Sequence, residues 1–307
     1  TNVFYYDANK GSADTDTNSS TFGPIGWSRL GGTIYNEAIG DNGSEIKLSG
    51  NGKIIAIGCH ANDGTSGSVE TNDNRGNVRV YRYVSSKTVA ETNQFSANFG
   101  PVGWTRMGTD IDGQFAGDAF GGPLDLSLDG TILAASSTGS DAYPTIMGPS
   151  ANLGQVRVFY WNGTEWVQRG TPIYGQLFQI YTYDQAFSGS IKLSADGNII
   201  ALGNVHYNSY GGIIKVMMWN AGSNDYTPMG QQISEFADWQ GSGSVSLSSD
   251  GQILAVGTFD ADAYASNGGI VRVYKHTTQT TVLVSPAPSN MNAYWNDFGS
   301  TQNQIQQ

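Results

Sequence analysis

The chain has 307 residues, of which 26 are Asp or Glu and 15 are Lys or Arg, for a formal net charge of −11. No basic stripe is present to release phosphate counterions, which excludes nucleic acid as a partner, and no apolar run approaches the roughly 18 residues that cross a bilayer. A single cysteine, Cys59, and three histidines exclude an internal disulfide and a Cys/His metal cluster, while 41 glycines and only 13% charged residues point to many short strands joined by tight turns.

The chain starts at Thr1 with neither an initiator Met nor a signal-like apolar segment, which reads as a processed product or a fragment. The run Asn2-Val-Phe-Tyr-Tyr6 predicts a short strand. After an acidic loop, Phe22-Gly-Pro-Ile-Gly-Trp27-Ser-Arg-Leu-Gly31 predicts another. Next comes Ile46-Lys-Leu-Ser-Gly-Asn-Gly-Lys-Ile-Ile-Ala56, two apolar runs around Asn-Gly. That is a strong hairpin signal, because both central turn residues tolerate positive φ. Asn77-Val-Arg-Val-Tyr-Arg-Tyr83 alternates with a period of two and follows Gly76, as a half-buried strand does.

From here the chain repeats. Phe99-Gly-Pro-Val-Gly-Trp104-Thr-Arg-Met-Gly108 copies the segment at Phe22 after 77 residues, and weaker copies are Trp166-Val-Gln-Arg-Gly170 and Tyr226-Thr-Pro-Met-Gly230. The hairpin, strands a and b, recurs at Leu124 to Ala134, Ile191 to Ala201 and Val245 to Ala255. The alternating run, strand c, recurs at Gln155 to Trp161, Ile213 to Trp219 and Ile270 to His276. Trp161-Asn162-Gly163-Thr164 turns directly into Trp166, which pairs c with the Trp-containing run, strand d.

A four-stranded antiparallel unit every 54 to 78 residues predicts an all-β chain, a small β-propeller of four to five four-stranded blades. The propeller repeat domain spans 1–285, with repeats near 22–98, 99–164, 165–225 and 226–276 and a leading half-blade at 2–34. Residues 286–307 read as an Asn/Gln-rich C-terminal tail, and Thr280 to Ser285 is a poor candidate for the last strand d. Strands a, through Ile46, Leu48, Leu124, Leu126, Ile191, Leu193, Val245 and Leu247, are expected to form the innermost ring, with Trp27, Trp104 and Trp166 at equivalent places.

This pattern resembles the FG-GAP repeats of integrin-α-type propellers, and a looser group of extracellular repeats of the form W-x-x-L-G-x-x-I, L-S-x-D-G-x-x-I-A-x-G and G-x-V-R-V-Y, over residues 2 to about 276. The resemblance implies a propeller fold and an extracellular or cell-surface location. The calcium loop of FG-GAP blades needs a D-x-D-x-D-G-type run between a and b, and here only a bare Asp-Gly stands, so no metal site carries over.

His60, His206 and His276 fall at different places in their repeats and make no ligand set. Asp14-Thr-Asp16-Thr-Asn18 starts like a calcium loop but lacks the Gly and distal Glu. With no nucleophile elbow, phosphate loop or carboxylate pair in sight, the expectation is no catalytic residue, no metal, no cofactor and no enzyme. Arg79, Arg157, Lys215 and Arg272 share one position of strand c, which predicts structural ion pairs between strands, with Phe4 at that position in the leading strand.

The long b-c and d-a loops emerge on one face, where Tyr174, Tyr181, Tyr183, Tyr207, Tyr210, Trp239 and Tyr264 offer rings to sugars or to a partner subunit. Asn18, Asn42 and Asn162 begin N-glycosylation triplets. The functional expectation is a non-enzymatic secreted structural subunit, glycosylated and assembling head-to-tail with copies of itself into an extracellular or surface filament. Asn2, Val3, Phe4, Tyr5 and Tyr6 form the assembly strand, because no a-b hairpin precedes them. The alternative is a cell-surface propeller that binds carbohydrate or protein through its Tyr-rich face.

Overall fold

A computed structural model describes residues 1–37, 40–41, 43–63, 73–139, 154–174, 190–203, 213–233, 242–258, 270–277 and 295–297. β1 (Phe4–Tyr6) and β2 (Trp27–Arg29) form a two-stranded sheet, blade 0. Blade 1 is β3 (Gly43–Leu48), β4 (Ile54–Cys59), β5 (Asn77–Tyr83) and β6 (Trp104–Arg106), with β7 (Ile111–Asp112) returning onto β5. Blade 2 repeats this with β8 (Phe120–Leu126), β9 (Ile132–Ser137), β10 (Gln155–Trp161), β11 (Trp166–Gln168) and β12 (Ile173–Tyr174). Blade 3 is β13 (Ser190–Leu193), β14 (Ile199–Gly203), β15 (Ile214–Asn220) and β16 (Asp225–Pro228). Blade 4 is β17 (Ser242–Leu247), β18 (Ile253–Thr258), β19 (Ile270–His276) and β20 (Trp295–Asp297).

Every strand pair is antiparallel and follows the order a-b-c-d. The chain is therefore an all-β propeller, with four complete blades and one half-blade among the described residues. Strands a pack side by side in succession, β3 on β8, β8 on β13 and β13 on β17. Among the described residues no contact of like extent returns from β17 to β3, so the blades form an arc.

The core is divided by these joints into layers. Val3 and Ile34 of blade 0 meet Ile55, Ile57, Tyr81 and Trp104 of blade 1. Val78, Val80 and Met107 meet Phe120, Leu124 and Leu133 at the next joint, and two similar layers follow. Alternation in each strand sends successive residues to opposite faces, so one strand serves the joint before it and the joint after it.

Three details depart from the sequence expectations. The a-b turn is longer than a two-residue hairpin: in blade 2, β8 ends at Leu126 and β9 starts at Ile132. The Ser127 hydroxyl donates to Asp129 Oδ1 at 2.7 Å and accepts from Ile132 N at 2.9 Å, and only Gly130 takes positive φ. Side chains thus satisfy backbone groups that a tight turn would have paired directly. Secondly, β1 pairs with β2 of its own chain, Tyr6 opposite Trp27, and carries no strand on its other edge among the described residues. Thirdly, the last strand d is Trp295–Asp297, within the segment read as a tail, while Thr280 to Ser285 lies outside the described residues. In sequence, β20 lies about as far beyond β19 as β2 beyond β1 and β6 beyond β5, which hid the strand from a search for a close hairpin.

Candidate functional site

Each joint is built the same way at the inner ring. Gly50 N donates to Leu128 O, Leu128 N to Ala195 O and Ala195 N to Ser249 O, at 2.7 to 2.9 Å, so the a-b turns form a ladder from blade to blade. The first isoleucine of strand b in blades 1, 2 and 3 lies over the turn glycine of the next blade. A Cβ on Gly130 would stand 2.7 Å from Ile54, one on Gly197 2.6 Å from Ile132, and one on Gly251 2.4 Å from Ile199. All three glycines have φ near +70°, the left-handed region, so both conformation and space require glycine there.

The two ends of the arc hold unmatched halves of this joint. Gly52 has open space where its counterparts touch isoleucine, and Ile46 and Leu48 are 43% and 48% exposed where Leu124, Leu126, Ile191 and Leu193 are buried. At the other end Ile253 is 37% and Val271 72% exposed, whereas their counterparts in blade 3, Ile199 and Ile214, are buried, and Ile54 and Ile132 are half-buried. The expected inner ring of strands a is present, but its first member is bare. This asymmetry is invisible in the repeat pattern, since Ile46 and Leu48 obey the same pattern as their buried equivalents.

A polar cluster lies beside the joint of blades 0 and 1. A cleft of about 640 Å³ is lined by Thr33, Asn36, Glu37, Arg79, Tyr81 and Gln94 among others, and a second of about 800 Å³ by Glu37, Arg106, Asp110 and Trp161. The Asp110 side chain is fully buried and accepts from Arg106 Nη1 at 2.8 Å. Burial, and after it the Glu37 carboxyl alongside, push Asp110 up from the usual carboxylate range against the pull of Arg106. Arg79 is buried, and its Nε and Nη2 have no hydrogen-bond partner among the described residues. Neither Glu37 nor Asp110 belongs to a sequence motif; the fold brings them together.

At Arg157 the recurring cation is held by something other than an ion pair. Arg157 donates to Asp112 O at 2.6 Å and lies 4.1 Å over the Phe120 ring, so a carbonyl and an aromatic face hold it. Burial lowers it to about 10. In blade 0, Thr1 and Ile34 exchange two backbone hydrogen bonds as Val78 and Ile111 pair in blade 1, which places Asn2, and not Phe4, at the cation's position.

Asp14 and Asp16 are engaged with their own loop. Asp14 accepts from Asp16 N and the Thr21 hydroxyl, and Asp16 from Asn18 N. Hydroxyls of Ser19 and Thr21, then the Asp16 N–H, hold Asp14 down to about 2. The same loop in blade 1 is centred on Lys87, whose ammonium donates to Asn98 O, Gly100 O and Trp104 O. Asn18 and Asn162 are exposed in loops; Asn42 lies outside the described residues. So do Tyr181, Tyr183, Tyr207, Tyr210, Trp239, Tyr264 and His206, leaving Tyr174, half-buried, as the described member of the aromatic face.

No family model matches the chain, and no curated protein matches it. Solved structures do. One, from Bacteroides uniformis, is described as a "putative 6-phosphogluconolactonase"; it is 12% identical at a TM-score of 0.46, over 82% of this chain and 52% of that one. A second of the same description, from Bacteroides fragilis, is 10% identical at 0.43, over 82% and 56%. The β-propeller domain of the Trilobed protease from Pyrococcus furiosus, described as having an open velcro topology, is 12% identical at 0.39, over 76% and 55%. The chain spans about half the length of these structures. The expectation that the chain is not an enzyme is corrected on this finding, since structures it resembles include two described as a "putative 6-phosphogluconolactonase".

Proposed function

We propose that this chain is a secreted structural subunit of the FG-GAP-like extracellular kind, which assembles head-to-tail with copies of itself into an extracellular or surface filament. Glycans at Asn18, Asn42 and Asn162 belong to the same reading. The observation that carries it is the arc: one end leaves Ile46 and Leu48 bare and the other Ile253 and Val271, four side chains whose counterparts the internal joints cover wholly or in part. Bare apolar ends of one repeating joint call for a further blade, and a head-to-tail contact propagates unless its rotation closes a ring. Sedimentation velocity and electron microscopy of the purified chain test it. Concentration-dependent polymers with a regular repeat are expected, and a monodisperse monomer at every concentration would refute the proposal.

The cleft at Arg79 favours a second reading, binding of carbohydrate or protein at the cell surface, because two buried nitrogens of that guanidinium have no hydrogen-bond partner among the described residues. Binding to an immobilised glycan array, lost in Arg79→Met with unchanged melting temperature, is its expected signature. No binding by the unmodified chain removes it.

A further inference from the structure

Blade 0 has strands c and d, and among the described residues no a-b hairpin pairs with them. Its backbone shows the gap. Leu30 N donates to Val3 O and Asp7 N to Gly26 O, so Val3 and Asp7 bond toward β2, and alternation turns the N–H groups of Phe4 and Tyr6 to the other edge of β1. Tyr6 stands opposite Trp27 as Tyr83 stands opposite Trp104, Trp161 opposite Trp166, Trp219 opposite Tyr226 and His276 opposite Trp295. Each of those four counterparts donates its N–H, at 2.7 to 2.8 Å, to the carbonyl that follows the turn glycine of its own hairpin: Lys53, Thr131, Asn198 and Gln252. Tyr6, 69% exposed, has no hairpin to donate to among the described residues.

Three features of blade 1 face the same gap. In the turn ladder each donor bonds to the turn of the blade that follows, which leaves Gly50 O as an acceptor with no turn ahead of it among the described residues. Gly52 has nothing within 4 Å, whereas Gly130, Gly197 and Gly251 lie under the isoleucine of the hairpin before them. Ile46 and Leu48 are bare on strand a, where the next two strands a are covered. One piece would satisfy all four vacancies. It is an a-b hairpin set ahead of β1, with its strand b on the edge of Phe4 and Tyr6, its turn N–H on Gly50 O, its first isoleucine over Gly52 and its strand a over Ile46 and Leu48.

We propose that blade 0 is a receptor for a β-hairpin presented by a different polypeptide, which completes the blade by strand addition. The chemistry of the joint specifies that hairpin: an Asp-Gly or Asn-Gly turn, an isoleucine two residues after the glycine, and apolar residues alternating in the strand before the turn, as at Gly130, Gly197 and Gly251. A second copy of this chain is the wrong donor. Each described hairpin already pairs with its own strand c, so a copy that gave one up would open an equal gap in itself. The inference goes beyond self-assembly and is compatible with it, because a seated hairpin presents its own strand a as the new bare end of the arc.

The test uses the full chain, dilute enough to stay monomeric, and as probe the hairpin Ser242–Thr258 of its own blade 4. The probe is supplied as a free peptide and, separately, fused through a flexible linker ahead of Thr1, in the a-b-c-d order of the other blades. Amide hydrogen exchange at Phe4 and Tyr6 should slow at least tenfold with either form, and the free peptide should saturate at one per chain. Gly52→Ala, whose Cβ takes the isoleucine's place, should weaken the peptide at least tenfold, and so should Ile253→Ser within the peptide. If neither form slows exchange at Tyr6, or if the Ile253→Ser peptide acts as well as the unmodified one, the inference is overturned. It is overturned too if Tyr6 in the chain alone is as protected as Tyr83, since the gap is then filled within one chain. Should Gly52→Ala fail to fold, the peptide variant decides. No readout depends on polymers, so a chain that never assembles refutes the self-assembly reading and leaves this one standing.

Discussion

Gly52, Gly130, Gly197 and Gly251 occupy one turn position, with φ of 67°, 77°, 68° and 71°, and so form an internal control for whether the arc is open. Alanine at any of them suffers the left-handed backbone penalty, about 1–2 kcal/mol. At Gly251 the new Cβ would also stand 2.4 Å from Ile199 Cδ1 and 2.9 Å from its Cβ, closer than real atoms approach, so the isoleucine or the turn must shift. Overpacking of that kind costs a further 1–3 kcal/mol or so. At Gly52 nothing lies within 4 Å, and only the backbone term applies. Gly130→Ala, Gly197→Ala and Gly251→Ala should therefore lose about 2–5 kcal/mol and Gly52→Ala about 1–2. For a domain of this size each kcal/mol moves Tm by roughly 2–4 °C, so the gap is measurable by thermal or urea unfolding of dilute, monomeric protein. Equal losses at Gly52 and Gly251 would refute the reasoning, because Gly52 would then be covered within a single chain.

Lys87→Met removes an ammonium that donates to Asn98, Gly100 and Trp104 carbonyls, and should cost about 2–3 kcal/mol and open the loop from Glu91 to Gly100 to limited proteolysis. Asp196 lies below its ordinary 3.8: burial opposes this, but the Ser194 hydroxyl and Asn198 N–H outweigh it. A lowered carboxylate adds stability above pH 3.8 that fades on acidification, so Asp196→Asn should destabilise by about 1 kcal/mol at neutral pH and flatten the acid limb of a pH–stability curve. Asp110 has the opposite sign. Its raised value means that the native state holds a proton the unfolded chain has released, so stability falls as pH rises from 3.8 toward 7, and Asp110→Asn should remove that fall in urea titrations across the range.

Much of the fold was legible because a repeat reports its own structure: the Asn/Asp-Gly turns, the V-R-V strands and the Trp-Ser-Arg-Leu-Gly run each occupy equivalent registers, Tyr6, Tyr83 and Trp161 opposite Trp27, Trp104 and Trp166. What failed was local. β20 is three residues long and lies far from β19 in sequence, so no hairpin signal marked it. The phase of β1 slipped by two residues because Asn2 imitates Asn77, while backbone pairing matches Thr1 to Val78. The site was less legible than the fold. Ile46, Leu48, Trp27 and Ile253 look in sequence like their buried counterparts, and only the position of each blade in the arc exposes them. The Glu37 and Asp110 contact arises where one blade's connection crosses the next, which no spacing rule encodes.

The strand inventory also constrains how copies of this chain can join. The described strands make five c-d pairs but four a-b hairpins, and each hairpin is already paired to its own strand c. Exchange of hairpins between copies conserves both numbers, so it moves the vacancy beside β1 from one subunit to another without filling it. Strand exchange alone therefore gives no net gain in pairing from polymerisation. Of the two open features of blade 0, the edge of β1 is thus one whose pairing by copies leaves the number of vacancies unchanged, whereas the 46% exposed face of Trp27 is under no such constraint. The prediction that follows is an ordering: Trp27→Arg should abolish long polymers, whereas Phe4→Pro, which removes the N–H that faces the open edge of β1, should shorten them far less if it leaves the monomer folded. The reverse order would return the strand edge to the leading role.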